Sequence, residues 1–190
     1  MKTLSKILLC LACVMLMASC EKEKPVYPSG EQPDPNQIFT ADFTVWEHSV
    51  DPAKDDNNCQ LTWKGEGNSD CIGTFRVEIT LNCNMATGEF CDLNGSFITD
   101  DGSKLFFEIS EGKILPNSGE GCDYYQGYFN DLAEITGGTG RFSYVTGSFY
   151  PNVFIHNKKD ENDTWFAKFS CVGKIMNFYR SDEDFPYPAF

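Results

Sequence analysis

From residue 39 to residue 177 the apolar side chains recur at every second position. No stretch of a dozen residues carries the 3.6-residue stripe of a helix. Phe75, Val77, Ile79 and Leu81 alternate with Arg76, Glu78, Thr80 and Asn82, so one face of that segment is apolar and the other polar. Period two over most of a chain leaves only sheets. It predicts strands at residues 39–47, 59–64, 71–84, 90–99, 105–110, 122–135, 141–150 and 165–177, joined in order mostly by short loops. Residues 65–70 are expected to turn, and the Asp101-Gly102 pair predicts a type I′ hairpin. Eight antiparallel strands suit a sandwich or an up-and-down barrel. Closure removes the two open edges that a flat sheet of this size would expose. The expectation is therefore all-β: a single eight-stranded antiparallel up-and-down β-barrel. Such a barrel has room for packed side chains or one small ligand, and aromatics are 14% of the chain, with Phe at 16 positions to fill it.

The two ends of the chain do not belong to that pattern. Lys2 and Lys6 precede an apolar run over residues 7–17 that is too short to span a bilayer, followed by Met-Ala-Ser-Cys. This arrangement resembles the lipobox of bacterial lipoproteins, which implies cleavage before Cys20 and acylation of its sulfur. Several acyl chains would hold the protein to a membrane. Residues 1–19 are thus expected to be a lipoprotein signal peptide, and residues 20–37, with four prolines and no Leu or Phe, a lipidated flexible tether. Residues 38–190 form the barrel domain. Glu21, in place of the aspartate linked to inner-membrane retention, favours the outer membrane of a bacterial envelope. Loss of Lys2 and Lys6 leaves 13 basic against 28 acidic side chains, about −15. That charge repels nucleic acid and anionic lipid surfaces alike.

Of nine cysteines, Cys10 and Cys13 leave with the leader and Cys20 is lipidated. Cys59, Cys71, Cys83, Cys91, Cys122 and Cys171 remain. An even set outside the cytoplasm predicts a disulfide-braced fold. Cys83 and Cys91 lie symmetrically about a turn near Thr87 and Gly88, so they are expected to pair; Cys59, Cys71, Cys122 and Cys171 stay open. No CxxC spacing occurs and there are only two histidines, so no metal site is expected. Asp160, Glu161 and Asp163 lack EF-hand spacing and read as solvated.

The stretch EITGGTGRF crowds Gly137, Gly138 and Gly140 around Thr139, ahead of Arg141 and Phe142. A phosphate loop would need Lys-Ser or Lys-Thr and then a helix, whereas here an alternating strand follows. The glycines therefore read as a tight turn. Residues 135–142, followed by Val145, Thr146, Gly147 and Ser148, resemble a recurrent feature of the allene oxide cyclase-like and dirigent-like β-barrel families. DDGSKLFFEIS at residues 100–110 and FSCVGKI at 169–175 resemble flanking strands of the same families, so the likeness covers residues 73–175. It implies an eight-stranded antiparallel barrel and transfers no catalytic residue.

Chemistry could sit at a few positions. A carboxylate inside a barrel has a raised pKa suited to acid/base work, which singles out Glu78 and Glu108, although each alternates with a better apolar face. Phe106, Tyr144 and Trp165 are candidates for a cavity lining, as is Phe142. Arg141 either clamps a carboxylate ligand or, on the simpler reading, pairs with an acidic neighbour to brace the turn. No Gly-x-Ser-x-Gly elbow exists and no cofactor is called for. Three functions stay open. The first is non-catalytic binding of a small apolar or aromatic ligand, or of an envelope partner. The second is an isomerase or cyclase using the cavity. The third is a structural interaction module with a filled interior.

Overall fold

The computed structural model describes residues 37–52, 57–117 and 124–178. The expected leader, tether and Cys20 fall outside the described residues, as does Cys122. Ten antiparallel strands form one closed sheet: β1 (Gln37–Pro52), β2 (Asn58–Ser69), β3 (Gly73–Asn84), β4 (Glu89–Thr99), β5 (Lys104–Lys113), β6 (Leu115–Pro116), β7 (Tyr125–Phe129), β8 (Ala133–Gly138), β9 (Thr146–His156) and β10 (Phe166–Met176). Neighbours run β10-β1-β2-β3-β4-β5-β8-β9, and β9 pairs with β10 to close an eight-stranded barrel. β6 and β7 are the two additional strands. β7 extends the line of β8 along β9, pairing Phe129 with Val153, and β6 extends β5. The expected strand at 122–135 is therefore one wall position broken near residues 130–132.

Three turns differ from the sequence expectation, and in the last of them the strand expected from residue 141 starts only at Thr146, after a 3-10 turn. β2 continues through Gly65 and Gly67 to Ser69, and the chain turns at residues 70–72. The glycines serve close approach. A Cβ on Gly65 would overlap the carbonyl oxygen of Thr44 and lie 2.8 Å from the Cα of Val45, so only glycine lets β1 and β2 curl together here. At the β4–β5 hairpin Gly102 has φ +82° and Asp101 has none of the positive φ that a type I′ turn demands at both central positions. Thr99 N donates to Ser103 O (3.0 Å), closing a three-residue loop that ends in left-handed glycine.

The interior follows the alternation. Phe75, Val77, Ile79 and Leu81 are all buried, as are Phe39, Ala41, Phe43 and Val45 across the sheet. Phe97 of β4 sits at the centre, fully enclosed, with its ring centroid 4.6 Å from Phe75, 4.8 Å from Phe107, 5.4 Å from Phe43 and 6.1 Å from both Phe39 and Phe149. Tilted and offset rings at these separations are the favoured aromatic arrangement.

The disulfide expectation does not hold in this structure: Cys59, Cys71, Cys83, Cys91 and Cys171 are free thiols. The Cys83–Cys91 pairing fails on register. Gly88, with φ +73°, and the Asn84 side chain, which accepts from Ala86 N and Thr87 N, set Cys83 opposite Phe90 and Cys91 opposite Asn82. One residue of offset puts the two sulfurs on opposite faces: Cys83 is buried and Cys91 exposed.

Candidate functional site

The glycine-rich stretch closes one end of the barrel. After β8, Gly140–Phe142 form a single 3-10 turn, and Phe142 is fully buried beneath it. Gly140 adopts φ +58°, and a Cβ on Gly138 would lie 2.6 Å from the Cβ of Phe142. The turn docks on the β4–β5 loop. Thr139 N donates to Lys104 O (2.7 Å), Lys104 N to Thr139 Oγ1 (3.2 Å) and Arg141 N to Ser103 Oγ (3.3 Å). Asp101 gathers donors from Thr99 Oγ1, Ser103 N (3.0 Å) and Ser103 Oγ (3.0 Å). Arg141 Nε stands 3.6 Å from its Oδ2. Burial alone raises the Asp101 carboxyl, but those hydrogen bonds and the Arg141 charge outweigh it and hold it below the ordinary range. Arg141 Nη2 donates to Ile72 O (2.7 Å), and its guanidinium lies 4.9 Å from the Phe142 ring centroid and 6.0 Å from that of Phe178. One side chain thus ties three hairpin ends together. Arg141 braces the turn, in keeping with the simpler of its two readings.

The other candidates lie outside the barrel. Glu78 is exposed on β3, 3.6 Å from Lys64. Glu108 is exposed on β5, opposite Glu134. Phe106 is outward on the same strand, and Tyr144 is exposed in the loop after the 3-10 turn. Trp165 lies in the β9–β10 connection, where Lys159 Nζ stands 5.9 Å over its ring. The physical reason is parity. Strand β5 turns Leu105, Phe107 and Ile109 inward, so Phe106 and Glu108 face solvent, and in β3 Val77 and Ile79 exclude Glu78.

Among the described residues no charged side chain is fully buried; the fully buried polar residues are Ser69, Thr99 and Ser103. Among the described residues a void of about 30 Å³ lies beside Leu61, Trp63, Ile79, Leu93, Phe129 and Ile155. The buried Trp63 Nε1 has no hydrogen-bond partner there. The larger recesses lie away from the packed middle of the barrel. A groove of about 850 Å³ crosses the outer face of β10, β1, β2 and β3, with Trp46 and Phe154 toward one side and Asp42, Glu66, Arg76, Asp100 and Lys168 along it. Another of about 1100 Å³ lies at the barrel end opposite the plug, where Cys59, Cys83 and Cys91 meet Asp51, Glu89, Glu111 and Asp131.

Other reactive side chains are engaged locally. His156 stacks on Phe166 at 4.1 Å, and burial followed by the Lys168 charge lowers its pKa. Asp160 caps its own loop, accepting from Thr164 N (2.9 Å) and Asn162 N (3.0 Å). Among the described residues no three His, Cys, Asp or Glu side chains come together as a metal site. The outer groove escaped the sequence reading. Its polar positions on β1 and β10 are legible as the alternate residues, but the pairing of the first strand with the last is not.

No protein-family model matches the chain, and no curated protein does. Among solved structures the chain is similar to a pterocarpan synthase dirigent protein, at 11% sequence identity and a TM-score of 0.43, over 83% of this chain and 99% of that one. At that distance the closed sheet itself defines the class: an eight-stranded antiparallel barrel with a plugged end and a packed lumen.

Proposed function

We propose that this chain is a lipid-anchored protein of the bacterial envelope, held through Cys20, whose barrel acts by its outer surface as a rigid, non-catalytic recognition module. The packed lumen carries the reading. A void of about 30 Å³ holds one water and falls an order of magnitude short of a drug-sized ligand site. The cavity-enzyme reading calls for a carboxylate aimed into an enclosed site. Glu78 and Glu108, the residues that would supply it, stand in solvent. The groove of about 850 Å³, with mixed charge and an aromatic edge, is exterior. A stiff cylinder with its polar surface outward favours recognition of a partner over containment.

One experiment tests both halves: native mass spectrometry of the protein extracted from its own membrane in detergent, followed by the same measurement after denaturation. The expected result is covalent acyl mass that survives denaturation and maps to Cys20, with no small molecule released. A released organic molecule bound one-to-one would overturn the packed-module reading, and an unacylated, uncleaved N-terminus would overturn the anchor.

A further inference from the structure

We infer that Cys59 and Cys83 form a cross-strand cystine when the chain folds in the presence of a disulfide oxidant, carried by a protein or by a small molecule. The two residues are directly opposed across β2 and β3. Both turn inward, in register with the inward pairs Leu61–Leu81 and Trp63–Ile79. Directly opposed residues of an antiparallel pair have Cα atoms about 4.5–5.5 Å apart, inside the range of about 4.4–6.8 Å that disulfides span. The Cys59 thiol already lies against its partner strand, donating to Cys83 O at 3.7 Å. The pair sits at the end of the β2–β3 ladder, one residue from its last rung, where fewer rungs restrain the strands than at its middle.

Among the described residues no other cysteine has this relation. Cys171 faces Ala41 and Pro151, Cys91 faces Asn82, and Cys71 donates to Ile38 O (3.0 Å) from a turn. Burial, reinforced by the neighbouring Cys59, pushes the Cys83 thiol up to about 11; burial and Glu47 raise Cys59 as well. The folded pair is therefore a poor nucleophile at neutral pH, and the bond is made while the hairpin end is still open. The thiolate of Cys59 attacks one sulfur of the oxidant's disulfide and expels the first leaving thiolate. The thiolate of Cys83 then attacks Cys59 Sγ in the mixed disulfide and expels the second. Two cysteine thiols are oxidised, one disulfide is reduced, and the two protons pass to the leaving thiolates.

The inference leans on the exported-envelope reading only for where the oxidant is met, so the test separates them. The full chain is refolded from denaturant with reduced and oxidised glutathione, residual thiols are alkylated, and the product is cut after glutamate. Cleavage after Glu47, Glu66, Glu78 and Glu89 isolates Cys59 on residues 48–66 and Cys83 on residues 79–89, with Cys91 on a separate fragment. The expected result is one linked species joining those two peptides, two hydrogens lighter than their sum and separated by reduction. In a Cys83→Ser variant Cys59 is alkylated instead. Alkylation of both cysteines in the refolded wild-type chain, or linkage of either to Cys71, Cys91, Cys122 or Cys171, overturns the inference. If the linked species forms in the tube but protein extracted from cells carries both thiols free, the pairing stands and the exported-compartment reading fails.

Discussion

Replacing Phe97 by alanine probes the packed lumen on which the functional reading depends. Its ring is fully enclosed and touches Phe39, Phe43, Phe75, Phe107 and Phe149, which sit on four different strands of the barrel. Phe→Ala in a core costs about 3–5 kcal/mol, with the spread set by how far the surroundings collapse. Here the neighbouring rings are pinned by a closed hydrogen-bonded wall and cannot converge, so the cost belongs in the upper half, about 4–5 kcal/mol. At about 2–4 °C per kcal/mol for a domain of this size, the thermal midpoint should fall by roughly 8–20 °C. With a urea slope near 2 kcal/mol/M, the denaturation midpoint should fall by about 2 M. Phe97→Leu, which keeps most of the volume, should lose less than about 2 kcal/mol. Benzene should raise the midpoint of the alanine variant and leave the wild type unchanged, because a dry apolar void of ring size binds it. An alanine variant that loses less than about 1.5 kcal/mol, or a wild type that benzene stabilises equally, would show that the lumen is not filled and return the container reading to contention.

Two further perturbations address the plug and the strand curl. Asp101 is held below its unfolded carboxyl value of 3.8, so its contribution to stability is fully present above that pH and is lost as the pH falls through the lower folded value. Asp101→Asn should therefore flatten the acid limb of a thermal-midpoint-versus-pH curve below about pH 4, whereas parallel limbs for variant and wild type would mean that the carboxylate is not engaged. Gly65→Ala should destabilise by more than about 2 kcal/mol, because its Cβ meets the backbone of β1. Gly73→Ala, with open space around it and φ +77°, should cost only the left-handed penalty of about 1–2 kcal/mol. Equal losses at the two positions, measured by urea denaturation, would refute the close-approach account.

Alternation is a local property, and it carried a great deal. Side-chain parity in 75–84, the eight wall positions and the inward set of phenylalanines all follow from period two, since successive residues of a strand must face opposite sides whatever the strand pairs with. The glycine turn at 137–140 was legible because left-handed glycine is also local, but the strand expected from residue 141 begins only at Thr146, after a 3-10 turn that the alternation did not show. What the sequence could not decide were relations between distant segments. The offset that sends Cys83 inward and Cys91 outward depends on a turn conformation. The meeting of Asp101 with Arg141 requires two hairpins to reach the same barrel end. The closure of β10 onto β1, which lays Asp42 and Lys168 along one groove, exists only once the sheet has curled round. Parity is written in each strand by itself, but register and closure are settled by the packing of all eight together, and this protein's recognisable surface depends on both.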